Sequence, residues 1–220
     1  MADGLNYVPF KPNPGLIEHI ALHIEHQIVS GILRSGDRIQ EARIVSQLDV
    51  SRGSVREAFR VLERRRLIDV VPRRGAVVSR LSPSRVQDLT LVLPVILTHV
   101  VSDLIPEWSE NYSQSISQAM RTSESKFGCV NPISVFEALC RLHSNQVFAE
   151  LIEDLIPTFD RVFSKLLRLN LSGVESLEKR LKTQVIPAIE TGDIGETTHQ
   201  VTEVCRALER KYLETLERTG

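Results

Sequence analysis

The sequence predicts a mainly α-helical protein in which three short helices and a β-hairpin precede an all-α antiparallel helix bundle. Three observations lead to this prediction: helical spacing of apolar residues through most of the chain, two β-branched runs around Gly75, and opposite charge balances in the two parts. Residues 1–80 hold 13 Lys and Arg against 9 Asp and Glu, whereas residues 81–220 hold 14 against 19. We therefore expect one domain over 1–80 and a second over 81–220.

The first region begins with three predicted helices. Residues 16–31 have apolar side chains at helical spacing up to a glycine, and 41–48 and 52–65 repeat that pattern. Ser51 precedes the third helix and is expected to cap it, because its hydroxyl can accept a hydrogen bond from an amide of the first turn. The face of this helix opposite its apolar stripe carries a series of arginines, namely Arg52, Arg56, Arg60, Arg64, Arg65 and Arg66.

A β-hairpin is predicted directly after the third helix. LIDVVP and AVVSRL are β-branched runs on either side of RRG, which places Arg73, Arg74 and Gly75 at the tip. Two short helices joined by a tight turn and followed by a hairpin form a winged helix-turn-helix, whose second helix can lie in the major groove of DNA. Residues 34–80 contain 12 arginines and no lysine, and the planar guanidinium suits phosphates and guanine edges.

The segment SGDRIQEARIVSQLDVSRGSVREAFRVLERRRLIDVVPRRGAVVS resembles the GntR superfamily of bacterial repressors, and VSRGSVREAF is its most diagnostic part. The resemblance runs without a gap from Ser35 to Ser79. Ser35 replaces the proline of the family pattern, and Asp49 and Arg66 replace glycines where the family favours left-handed backbone.

The resemblance implies that this region binds double-stranded DNA. Arg52 is expected to read a guanine edge, Arg43 and Arg56 to contact phosphates, and the wing to approach the minor groove. Matching positions assign seven DNA-contacting residues: Arg43, Ser51, Arg52, Ser54, Arg56, Arg74 and Gly75.

Three histidines, His19, His23 and His26, recur along the first predicted helix at a spacing that could bind a metal. The sequence pattern identifies no carboxylate or cysteine as a further ligand, so a solvated polar face is the preferred interpretation.

The second region shows helical periodicity and no strand alternation. Six helices are predicted, over 83–104, 108–126, 132–143, 145–170, 174–190 and 194–218, after a short linker at 80–84. This order resembles the effector domain of the FadR-type branch of the GntR superfamily, called the FCD domain, through VFEALCRLHSN and IPAIETGD. The helix count fits its six-helix, VanR-like variety.

Many FCD domains hold a divalent metal with an Asp-x-x-x-His pair and two later histidines. The matching positions here are Ile133, Glu137, Lys182 and Val204, so the resemblance implies no metal site of that kind and no cofactor. A small-molecule effector is still expected. Polar residues on apolar helix faces are the candidates for binding it: Thr98, His99, Glu137, Arg141, His143 and Lys182. Of these, Arg141 could bind a carboxylate.

Partners and compartment follow from more general observations. A single recognition helix reads only a few base pairs, so we expect a homodimer on a pseudo-palindromic site. The apolar run Leu89–Val101 is interrupted by Pro94 and other residues and is judged too short and polar for a bilayer. The N-terminus has no signal-peptide pattern, and the three scattered cysteines, Cys129, Cys140 and Cys205, favour a reducing cytoplasm.

The leading hypothesis is a ligand-controlled repressor, and three alternatives remain. The protein could be an activator, or its winged helix could bind a protein instead of DNA. An enzyme with a DNA-binding appendage is disfavoured, because the sequence contains no nucleophile–base pairing, phosphate-binding glycine loop or metal constellation.

Overall fold

The computed structural model describes residues 15–71, 75–169 and 173–217. Within them the chain is mainly helical, and its contacts divide it into two units, Met1–Leu81 and Ser82–Gly220.

The first unit contains three helices, as predicted: α1 (Leu16–Val29), α2 (Glu41–Leu48) and α3 (Arg52–Arg64). Their apolar stripes meet in one core because each stripe repeats at helical spacing. From α3 this core receives Val55, Ala58, Phe59 and Leu62. The three helices therefore present the opposite, arginine-bearing face of α3 outward.

A three-stranded antiparallel sheet completes the first unit, in the order β1–β3–β2. The predicted hairpin is formed by β2 (Ile68–Val71) and β3 (Gly75–Val78), and β1 (Arg38–Ile39) pairs with the other edge of β3. The strand β1 was not predicted, because two residues are too few to show alternation of apolar and polar side chains. The fold of this unit is a winged helix-turn-helix.

The two substituted glycine positions adopt left-handed backbone, as the family pattern predicted. Asp49 has φ 51° and ends α2, and Arg66 has φ 58° in the turn before β2. Left-handed backbone brings the Cβ of an L-residue close to its own carbonyl, so both positions carry a local energetic cost that glycine would avoid.

The second unit is a helix bundle, and the six predicted helical segments are found close to their predicted bounds. The fifth segment contains a π-helical turn, Leu181–Val185, that joins two α-helices. The helices are α4 (Pro83–Leu104), α5 (Glu110–Phe127), α6 (Pro132–Leu142), α7 (Gln146–Arg168), α8 (Val174–Arg180), α9 (Ile186–Glu190) and α10 (Ile194–Glu217), with a 3₁₀ turn at Ile105–Glu107.

Helix α4 is more apolar than the sequence analysis allowed. Together with the following 3₁₀ turn it reaches a mean hydropathy of 1.8 over 18 residues, so by length and composition it could cross a membrane. One side of α4 packs against α10 and α6, as in the core of a helix bundle.

Candidate nucleic-acid interface

The start of α3 is held by a side-chain cap. The hydroxyl oxygen of Ser51 accepts a hydrogen bond from the amide of Ser54 at 3.0 Å, and the two hydroxyl oxygens are 2.9 Å apart. Ser51 was predicted to cap this helix, and it does. The cap leaves the first turn of α3 exposed, with its remaining free amides directed out of the helix end, where they can meet an anion.

Two of the predicted DNA-contacting arginines extend from this surface with free guanidinium groups. Arg52 is the first residue of α3 and Arg43 lies in α2, and both are exposed. Within the described part of the chain, neither guanidinium group makes a hydrogen bond or an ion pair. Their charges are therefore available to an external polyanion.

Arg56 is also exposed but is tethered. Its Nε donates to the carboxylate of Glu41 at 3.1 Å, which links α3 to the start of α2, while the Arg56 side chain remains 68% exposed. Because only Nε is engaged, the two terminal nitrogens keep donors that can reach a phosphate. The ion pair with Glu41 therefore orients the Arg56 side chain and leaves part of its guanidinium group available to DNA.

Arg65 does not belong to this exposed face, which corrects the sequence analysis. Its side chain is 3% exposed, and it forms ion pairs with Glu18 at 2.8 Å and Glu25 at 3.2 Å, both on α1. Arg65 follows Leu62 by three residues and so continues the buried stripe of α3. This buried pair connects the end of α3 to α1 and contributes nothing to a DNA-binding surface.

At the wing, Gly75 has φ 79° and begins β3, while Arg74 lies outside the described residues. A Cβ built at Gly75 would lie 4.0 Å from Nε of Arg38, so an exposed arginine of β1 lies beside the turn end of the hairpin. Sequence reasoning missed Arg38 because it missed β1. The wing is attached to α3 through the Val70 amide, which donates to Glu63 at 3.1 Å.

The three histidines of α1 do not form a solvated face, contrary to the preferred interpretation. His23 is 9% exposed, and its Nε2 lies 2.8 Å from Nε2 of Gln27. Burial lowers the pKa of His23, and the neighbouring His19 and His26 lower it further. Among the described residues, no three His, Cys, Asp or Glu side chains are placed to hold a metal ion together.

The predicted effector-binding residues are not brought together in one cavity. Thr98 donates to the carbonyl oxygen of Pro94 within α4 at 2.7 Å. Arg141 pairs with Glu137 at 2.8 Å and lines an open groove of about 680 Å³ between α5 and α6. Lys182 binds two carboxylates, those of Glu178 and Glu124.

The remaining two candidates, His99 and His143, are neighbours, with ring centroids 6.3 Å apart. His143 is buried, and its Nε2 lies 3.1 Å from a carboxylate oxygen of Asp103. Its Nδ1 accepts a hydrogen bond from the Asn145 amide at 2.9 Å. Both rings contact Phe148 edge-on, at 5.5 Å from His99 and 4.8 Å from His143.

Sequence reasoning also missed a polar cluster in the interior of the bundle. Asp160 is 4% exposed, receives a hydrogen bond from Nδ2 of Asn131 at 2.9 Å and forms an ion pair with Lys126. The backbone amide of Asn131 donates a second hydrogen bond, to the hydroxyl oxygen of Ser123 at 2.6 Å. Burial raises the pKa of Asp160, and Lys126 opposes that shift. The signal was a carboxylate between Phe159 and Phe163 on the apolar stripe of α7.

Comparisons with known proteins agree with this geometry. Residues 16–78 match the family model of bacterial regulatory proteins, gntR family. The chain is 33% identical over 86 residues to the gluconate operon transcriptional repressor of Bacillus subtilis (strain 168). That alignment covers 39% of this chain and 35% of the repressor, so it spans about a third of the relative's length.

Two solved structures resemble the whole chain. A protein from Rhodococcus sp. RHA1 assigned as a transcriptional regulator GntR has a TM-score of 0.73 and 21% identity, covering 90% of this chain and 97% of that one. The E. coli protein McbR/YncC has a TM-score of 0.72 and 15% identity, covering 93% of this chain and 100% of that one. Residues 16–78 thus form a GntR-type helix-turn-helix domain, and the bundle shares the fold of these structures.

Proposed function

We propose that this protein is a cytoplasmic transcription repressor that binds a pseudo-palindromic operator as a homodimer and releases it when a small metabolite binds the helix bundle. The observation that carries the proposal is the pair of exposed, uncompensated guanidinium groups of Arg43 and Arg52 on a GntR-type helix-turn-helix. Arg52 stands at the N-terminal end of α3, the part of a recognition helix that reaches base edges.

The roles of individual residues follow from their surroundings. Arg52 reads a guanine edge, while Arg43 and Arg56 hold the backbone phosphates. Ser51 and Ser54 position the first turn, whose amides can bind a further phosphate. Gly75 lets the wing approach the minor groove, with Arg38 beside it.

The bundle is proposed as an FCD-like effector domain of the FadR-type branch, in its six-helix variety. Its helix order supports this. The interior of the bundle also holds three buried polar residues, Asp160, Asn131 and Ser123, and the exposed Lys126 pairs with Asp160. Asp160 already has Asn131 and Lys126 as partners, so a polar ligand would bind there by extending or replacing those hydrogen bonds.

The DNA-binding part is tested by salt dependence. The wild-type protein is first used to select a DNA duplex that it binds from a pool of random sequences. The affinity of the protein for that duplex is then measured by fluorescence anisotropy over a range of salt concentrations. Affinity should fall steeply with salt, since each phosphate contact releases counterions. Arg43→Ala should reduce the slope of log K against log salt by about 1, because it removes one phosphate contact.

The matched control is Arg121→Ala in the bundle, which also removes an exposed arginine, one that hydrogen-bonds the neutral Gln118. It should leave affinity and slope unchanged. A protein that selects no duplex, or an equal effect of the two substitutions, would contradict the proposal.

The effector part is tested on the full-length chain. Compounds that raise its melting temperature are added to the operator complex, and a true effector should weaken binding by roughly tenfold or more. If ligand-saturated and ligand-free protein bind the operator equally, the bundle does not control DNA binding.

A further inference from the structure

One face of α4 exposes apolar side chains that nothing in the described chain covers. Leu91 and Val95 are each 71% exposed and Val92 is 49% exposed. The opposite face is buried in the bundle, for example at Leu93 and Leu97. A surface helix normally keeps polar residues toward water, so a helix that is apolar on both faces is typical of one buried on both sides in an assembly.

The apolar surface continues from α4 onto the start of α7. His99 lies one turn beyond Val95 and packs edge-on against Phe148 at 5.5 Å. The exposed Val147 and Leu151, 53% and 49% accessible, lie in the first turns of the same helix as Phe148.

The exposed face of α4 also has the residue spacing of a helix–helix seam. Its residues, separated alternately by four and three positions, are Asp88, Val92, Val95, His99 and Ser102. This is the spacing at which two helices pack side by side along their length. Asp88 is the one acidic or basic residue of the seam apart from His99, so two such faces do not repel one another.

We infer that this face binds a second copy of the chain, with the two α4 helices antiparallel about a two-fold axis between Val92 and Val95. This inference deepens the proposed function and rests on it for the expectation of a dimer. In a two-fold pair each contact occurs twice, so Val92 lies against the second copy's Val95. The same register places Asp88 opposite the second copy's His99.

Charge complementarity favours this register over its neighbours. Asp88 is exposed and has no hydrogen-bonding partner within the described ranges, and an imidazole can donate a hydrogen bond to its carboxylate. Moving one helix by three residues would place Asp88 opposite Ser102 and His99 opposite Leu91, which removes that pairing. The 22 residues of α4 extend about 33 Å. Together with the start of α7, a helix of this length is long enough for a standard interface, which buries roughly 800 Å² per copy.

The interface is tested by Val95→Glu in the full-length chain, with mass measured by sedimentation equilibrium without DNA. The wild-type protein should be a dimer. The variant should raise the dissociation constant of the dimer by about 100-fold or more, because it places a carboxylate twice at the centre of an apolar contact. Ile194→Glu is the matched control, since Ile194 is 40% exposed at the start of α10, and it should leave the dimer intact.

Circular dichroism melting verifies that both variants are folded. A monomeric wild-type protein, or a Val95→Glu protein that stays as dimeric as the Ile194→Glu control, would overturn the inference.

The register is tested by cross-linking. The double variant Asp88→Cys with His99→Cys should form a covalent dimer under mild oxidation. A link within one chain is excluded, because 11 residues of helix span about 16 Å and a disulfide needs Cα atoms within about 7 Å. Asp88→Cys with Ser102→Cys keeps the same native cysteines and should cross-link far less. Equal cross-linking of the two would overturn the proposed register.

These measurements separate the inference from the proposed function. A stable dimer that binds no duplex would overturn the proposed function and leave the α4 interface standing. A monomer that binds a selected duplex would overturn the interface alone.

Discussion

The basic side chains predicted to bind a partner have different surroundings in the two units of this protein. In the first unit, Arg43 and Arg52 are exposed and have no partner in the described chain. In the bundle, Arg141 and Lys182 are also exposed, but each lies within 4.0 Å of two carboxylates. The availability of positive charge in each unit therefore depends on the positions of nearby carboxylates as well as on the number of arginines.

Arg65 shows that composition alone would mislead even within the first unit. It is one of the arginines of the segment that resembles a DNA-binding domain, yet it is buried and paired with Glu18 and Glu25. The comparison thus distinguishes three kinds of arginine: free, neutralised at the surface and buried in a pair. Each kind leads to a different prediction.

The largest effect is expected from Arg65→Ala. Removing one partner of a buried ion pair leaves the glutamates without their counter-charge, which typically costs about 3–5 kcal/mol of unfolding free energy. Urea unfolding followed by circular dichroism measures this loss. The control is Arg60→Ala, whose pair with Glu57 is exposed and should contribute at most about 1 kcal/mol. Similar losses in the two variants would mean that burial does not distinguish these arginines.

The next effect concerns DNA binding rather than stability. Arg52→Ala should weaken binding to a selected duplex by about 1–3 kcal/mol and reduce discrimination against a scrambled duplex. Arg141→Ala should change neither, because that side chain lies in the other unit and is already paired with Glu137. Anisotropy titrations with both duplexes measure the two quantities, and an unchanged preference in the Arg52 variant would refute its assignment as a base reader.

A smaller effect is expected at the helix cap. Ser51→Ala removes the acceptor for the Ser54 amide and should lower the unfolding free energy by about 1 kcal/mol. Ser54→Ala keeps that amide capped and loses only a contact between two hydroxyls, so it should cost clearly less. Thermal melting ranks the variants, and the reverse order would show that the hydroxyl of Ser54 matters more than the cap.

The smallest effect is a gain. Arg66→Gly should stabilise the protein by about 0.5–1 kcal/mol, because glycine adopts a φ of 58° without the penalty of a Cβ atom. Arg66→Ala removes the same charge and keeps the Cβ, so it should produce no such gain. If both variants gain equally in melting temperature, charge repulsion rather than backbone strain is the cause.

Much of the fold could be predicted because local signals agree with the tertiary structure. The helix α3 begins at a side-chain cap and ends after a regular apolar stripe, so its bounds were predicted to within one residue. The left-handed Asp49 and Arg66 were predicted because glycine marks such positions in related sequences. The strand β1 was not, since its pairing with β3 is a long-range contact with no local signature.

The sites were predictable only in part, because their chemistry depends on long-range partners. The position of Arg52 on an exposed face follows from helical periodicity, but the ion pairs of Arg65 depend on Glu18 and Glu25, far away in sequence. In the bundle, Lys182 was expected near a ligand and instead binds two glutamates. Helical spacing shows which face a residue occupies and not which charge approaches it.

The hydrogen bonds of His143 determine the protonation pattern of its ring. Its Nδ1 accepts the Asn145 amide proton, so in this arrangement the single ring proton resides on Nε2, directed at Asp103. Asn145 is also the residue that caps α7. His143 in turn is the C-cap residue at which α6 ends, so a single hydrogen bond joins the capping residue of one helix to the capping residue of the next.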